Sequence, residues 1–196
     1  MSTTATDQTV GTTATDQVTI WVKDVHALEG HLEEALDEQI TLETISPEVG
    51  RALQEFHDTV RDSKARIERH LATLDEDGDA SSIKETIGEA LGSMAGWVNK
   101  LRADSVARAV RDDYVAFSGI HVSYAMLATS ARALGHEATA VIADQALADY
   151  ARLIQRVNEI LPTTTVDDIK ANDDVVLVNA TAADEGRAAI DAAWSK

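Results

Sequence analysis

Apolar side chains recur three and four residues apart through four long stretches of this chain, the spacing of one face of an α-helix. The first stripe is Trp21, Val25, Leu28, Leu32, Leu36 and Ile40. A second runs through Val49, Leu53, Phe56, Val60, Ile67, Leu71 and Leu74. The third takes in Val106, Val110, Phe117, Ile120, Tyr124, Leu127, Ala131 and Leu134, and the fourth runs from Ala140 through Tyr150 to Ile160. The only prolines, Pro47 and Pro162, stand between periodic segments, so Pro162 is expected to stop the fourth helix. Aromatic residues are 4% of a chain that is 44% apolar, so Ala, Val, Leu and Ile fill the core, which suits close helix packing.

The connections are unequal. Ser46-Pro47-Glu48 reads as a cap and first turn, and Gly135 as a C-terminal stop. Between the second and third stripes lies a long connection. It opens with Asp75-Glu76-Asp77-Gly78-Asp79, an acidic turn without the spacing and bidentate glutamate of an EF-hand loop. A short helix then follows through Ile87, Leu91, Met94 and Val98, with Gly88, Gly92 and Gly96 allowing it to lie close to its neighbours. The expected fold is therefore all-α: an up-down four-helix bundle over residues 18–161, with a long crossover between helices two and three. Residues 1–17, where Thr3-Thr4-Ala5-Thr6-Asp7-Gln8 recurs as Thr12-Thr13-Ala14-Thr15-Asp16-Gln17, read as a disordered leader. Residues 162–196 form a C-terminal tail: Val175-Val176-Leu177-Val178 as a short strand or strap, then a small helix from Thr181 to Trp194 with the threonine as cap. The tail is expected to pack on the bundle or a partner subunit, because its Val, Leu and Trp side chains would otherwise stay exposed.

The formal net charge is −17, from 34 acidic against 17 basic residues. That charge repels nucleic acid and anionic lipid. The same composition suits a salt-rich setting, where dense salt screens self-repulsion; recovery of the fold in concentrated salt after unfolding in dilute salt would support a halophilic source. There is no cysteine, which excludes disulfides, thiolate metal sites and cysteine nucleophiles. No apolar run approaches the roughly 20 residues of a membrane span, and no signal pattern opens the chain. The expected location is the cytoplasm.

Several local strings resemble the YciE/YciF-like branch of the ferritin-like superfamily. Asp24-Val25-His26-Ala27-Leu28-Glu29 is similar to that family's opening Asp-Leu-Tyr-x-Ala-Glu. Tyr124, Ala131 and Leu134-Gly135 resemble its Tyr…Ala-x-x-Leu-Gly run, and Leu147-Ala148-Asp149 stands where it has Leu-x-Glu. The resemblance implies a ferritin-like bundle with two iron or manganese ions held by inward carboxylates and histidine. Glu29 meets that requirement in helix one. Asp62 stands for the glutamate of helix two, with Arg66 one turn later, and Asp149 serves in helix four. In helix three the family's Glu-x-x-Glu falls on Phe117 and Ile120, which cannot coordinate a cation.

Two readings follow. In the first, the two-metal site is degenerate: Arg66 takes the place of the metal and bridges Glu29, Asp62 or Asp149, while Phe117 and Ile120 fill the vacated volume. Removing Arg66 would then strand buried carboxylates at a cost of roughly 3–5 kcal/mol. Such a chain would be a non-catalytic, structural or stress-associated protein, acting as a homodimer or through a protein partner, with Trp21, Trp97 and Trp194 as candidate interface residues and no cofactor. In the second, an oxidase, peroxidase or iron-handling protein keeps a reduced ligand set of Glu29, Asp62, His121 and Asp149. His26, His31 and His57 lie beside acidic residues, but no two histidines have the i, i+4 spacing that places a ligand pair on one face. No phosphate loop, dinucleotide fingerprint or nucleophile elbow is present.

Overall fold

The computed structural model describes residues 13–41, 46–74, 105–171 and 174–195. Among the described residues five helices form: α1 (Ala14–Gln39), α2 (Pro47–Leu74), α3 (Val106–Ala133), α4 (Glu137–Lys170) and α5 (Ala182–Trp194). The expected acidic turn at 75–79, the short crossover helix and Trp97 lie outside the described residues.

The first four helices pack as a bundle because each buries a line of residues alternating four and three apart. In α1 that line is Val18, Val22, Val25, Glu29, Leu32, Leu36 and Gln39. In α2 it includes Val49, Leu53, Phe56, Val60, Ser63, Ile67 and His70. Val110, Asp113, Phe117, Ile120, Tyr124, Leu127 and Ala131 continue the rule in α3, and Thr139, Ala143, Ala146, Tyr150, Leu153, Val157, Ile160 and Thr164 in α4. This repeat keeps one seam facing its neighbours when helices pack nearly antiparallel.

Helix α1 packs against α2 and α3, and α4 against α2, α3 and α5. Side-chain pairs give the directions. Lys64 meets Glu33 and His57 meets Asp37, so α1 and α2 are antiparallel. Gln39 at the end of α1 meets Asp113 near the start of α3, so these also run oppositely. Helices α2 and α3 therefore run the same way, and Leu74 and Ser105 lie at opposite ends of the bundle, about 40 Å apart for helices of this length. The chain is an all-α bundle with one long connection.

Helix ends follow their local chemistry. Gly135 takes φ 75°, and the amides of His136 and Gly135 return to the carbonyls of Ala131 and Arg132, closing α3 where its sequence indicated. Helix α1 begins at Ala14, four residues before the expected start and inside the expected leader. Thr13 and Asp16 cap each other reciprocally there, so the second copy of the N-terminal repeat starts a helix.

Pro162 does not stop α4, which continues to Lys170. The proline forgoes one amide bond, but the segment beyond it is anchored. Thr164 is buried, and its hydroxyl donates to the Ile160 carbonyl at 2.8 Å. Asp168 accepts from the Ser105 hydroxyl and from the Ala107 amide (2.9 Å), capping α3 with a side chain of α4. On the other side Arg187 of α5 donates to the Glu159 carbonyl and the Thr163 hydroxyl. A side-chain carbon at Gly186 would come within 3.3 Å of Pro162, so the glycine lets α5 lie against the proline.

Within the tail, α5 lies against α4, whereas Val175–Val178 forms no strand, and Val176, Val178 and Trp194 stay exposed on this chain. Thr181 begins α5, yet its hydroxyl faces Asn179 Oδ1 and Glu185 Oε1, to one of which its single proton is donated, instead of accepting a helix amide.

Candidate functional site

At the middle of the bundle Glu29 is fully buried, in a position the heptad spacing would otherwise give to an aliphatic residue. Tyr150 of α4 donates a hydrogen bond to Glu29 Oε1 at 3.0 Å. Burial pushes the Glu29 carboxyl up to about 7, although the nearby Ser63, Tyr124 and Tyr150 hydroxyls and the Arg66 guanidinium all favour its charged form. Glu29 Oε2, Ser63 Oγ, the Tyr124 hydroxyl and Arg66 Nε are all buried without a well-formed hydrogen bond to a described group, although Ser63 and Tyr124 stand close enough to the carboxyl to stabilise its charge. The two tyrosine hydroxyls are pushed well above their ordinary range, first by burial and then by the Glu29 charge, so both remain protonated donors.

An aromatic layer closes on this cluster. Phe117 meets Phe56 edge-on at 5.1 Å between ring centres, and Tyr150 lies 6.2 Å from Phe117 and 5.9 Å from Tyr124. Phe117 and Ile120 are both buried in the core. Such ring pairs add about 0.5–1.5 kcal/mol each beyond the area they bury.

The other sequence-derived candidates are spread more widely. Arg66 pairs with Asp149, and Arg152 binds the second oxygen of the same carboxylate. That cluster sits at the bundle's edge: the side chains of Arg66 and Asp149 are 27% and 15% exposed. Asp62 does not join it. Its side chain is 71% exposed and faces Arg61, because it stands one position off the α2 core line of Val60, Ser63 and Ile67. His121 is half-buried at the border of the inner face of α3. Among the described residues no three His, Asp or Glu side chains converge as a metal ion would require. A pair of divalent ions needs several carboxylate or imidazole ligands from facing helices. The centre offers one carboxylate and three hydroxyls, so these residues do not fit a two-metal centre.

A second buried polar pair escaped the sequence reading. Asp113 of α3 accepts from Gln39 Nε2 of α1 at 2.9 Å, and burial raises its carboxyl to about 7. Ser63 escaped it too. All three fill gaps in apolar stripes, Asp113 between Val110 and Phe117, Ser63 between Val60 and Ile67, and Gln39 three residues after Leu36. Continuing the four-three spacing through each gap would have found them. His70 is also buried, and its Nε2 lies 2.7 Å from the Thr139 hydroxyl.

Fold and site together define a four-helix bundle with one long connection and a small, carboxyl-poor polar centre. The chain belongs to a family described as a domain of unknown function, DUF892, whose profile matches residues 13–170. No curated protein and no solved structure matches the chain.

Proposed function

We propose that this chain is a ferritin-like bundle, akin to the YciE/YciF-like branch, in which a two-metal centre has been replaced by a packed core. It works without catalysis, as a structural or stress-associated protein that acts through self-association or a protein partner. The observation that carries this reading is the pair Phe117 and Ile120, both buried at the inner positions of α3 where a metal centre needs carboxylates. The exposure of Asp62 and the pairing of Asp149 with two arginines support it, since neither carboxylate is left to face a cation in the core.

The competing reading, an iron or manganese protein with a reduced ligand set, draws on Glu29 Oε2, which has no well-formed hydrogen bond among the described residues. Thermal melting with added manganese(II) or iron(II) separates the two, because an ion that binds the folded chain raises its melting temperature. The proposed reading expects no change. A rise that disappears in Glu29→Gln would overturn it.

A further inference from the structure

Helix α3 carries a second stripe on the side opposite its core line. Val115, Gly119, Val122, Met126, Thr129 and Ala133 are all exposed and again alternate four and three apart, with Val122 at 57%. From Tyr114 to Ala131 this helix contains no Asp, Glu, Lys or Arg over 18 residues, about 27 Å of helix. The other faces differ. Exposed positions of α2 include Arg51, Glu55, Arg61, Asp62, Glu68 and Arg69, and those of α4 include Glu137, Asp144, Arg152 and Glu159. In a chain of net charge −17, a long uncharged strip on one helix is a distinct feature.

The polar atoms on this strip are already satisfied. The Ser123 hydroxyl donates to the Gly119 carbonyl at 3.0 Å, and the Thr129 hydroxyl to the Ala125 carbonyl at 2.8 Å. Covering the strip therefore strands neither hydroxyl. Gly119 is open, with no described atom within 4 Å of the place a side-chain carbon would take, and so leaves a hollow between Val115 and Val122.

We infer that the outer face of α3 is where two copies of this chain pair, with the helices antiparallel about a two-fold axis passing near Val122. Charge selects the occupant. Two bodies of equal negative charge approach best where neither bears any, whereas a basic partner would be drawn to the acidic remainder of the surface. The stripe is also self-complementary in the way a two-fold contact requires. Around Val122, the Gly119 hollow of one copy receives the partner's Met126, and Val115 meets the partner's Thr129. This is knob-into-hole packing on the same spacing that builds the core. Charge depletion at the centre and a methionine among small residues are ordinary features of such contacts.

This assignment deepens the self-association reading and rests on it, and the chain's lack of cysteine gives a direct test. Val122→Cys places a thiol at the axis, while Val141→Cys, on the exposed side of α4, is the control. Sedimentation of the unaltered protein is expected to give twice the 21.1 kDa chain mass. Mild oxidation is expected to link Val122→Cys into a covalent dimer and leave Val141→Cys monomeric under denaturing electrophoresis. Val122→Asp is expected to sediment as a monomer with an unchanged helical circular-dichroism spectrum. A monomeric unaltered protein would overturn self-association and this surface together. An unaltered dimer in which Val122→Cys links no faster than Val141→Cys, and which Val122→Asp leaves intact, would overturn the surface alone.

Discussion

Glu29 occupies a core position of α1, and the location decides how it titrates. Both Glu29 and Asp113 hold their protons up to about 7, against 4.5 and 3.8 for the free carboxyls, chiefly because burial penalises the charge. The fold therefore binds these protons more tightly than the unfolded chain does. Their contribution to stability is whole below about pH 4 and is lost as the pH rises through about 7. Each can account for up to roughly 3–4 kcal/mol across that window. In urea titrations from pH 5 to 8, Glu29→Gln combined with Asp113→Asn is expected to flatten the decline and to exceed the unaltered protein in stability at pH 8. Parallel pH profiles for the two proteins would contradict the assignment.

Arg66 gives a second test at this scale. Because Asp149 keeps Arg152 and some solvent when Arg66 is removed, Arg66→Leu should cost about 1–2 kcal/mol, less than a fully buried pair would demand. A loss above about 3 kcal/mol by denaturant titration would mean the pair is fully desolvated. Glu29 was legible in the sequence because it falls on an apolar stripe. Asp62 misled because a motif alignment fixes sequence order, whereas one residue along a helix turns a side chain by about 100°. Asp113, Ser63 and Gln39 were missed because a polar residue in a stripe looks like a return to the surface, and only the facing helix shows that it is covered.

At the scale of elements, the four stripes were legible because heptad spacing is a direct consequence of which side chains face inward. The ends were less so. The Thr-x-x-Asp box at Thr13 and Asp16 was present in the sequence but lay in a repeat whose composition is that of an unfolded leader. The passage of α4 through Pro162 depends on Asp168 reaching the start of α3, a contact with a residue 61 positions away for which no local signal exists. Asp168→Ala should therefore cost about 1–2 kcal/mol, the ordinary value of a helix cap. It should also speed amide exchange both at Ala107 and along residues 163–170. Exchange accelerated at Ala107 alone would show that the segment beyond Pro162 holds by other means.

For the whole molecule, helix directions follow from a few cross-helix pairs, and they leave Leu74 and Ser105 at opposite ends of the bundle. The all-α architecture and the length of the second connection were both legible in the sequence. The centre was readable in part: its apolar half, Phe117 and Ile120, by alignment, and its polar half only from the packing of Tyr150, Tyr124 and Ser63 around Glu29. A core closed by Phe56, Phe117 and two tyrosines leaves one carboxylate where a cation pair would need several. Metal analysis of protein produced in medium rich in iron and manganese, and purified without chelators, tests this most directly. The account predicts well under one ion of either metal per chain; close to two per chain, lost in Glu29→Gln, would contradict it.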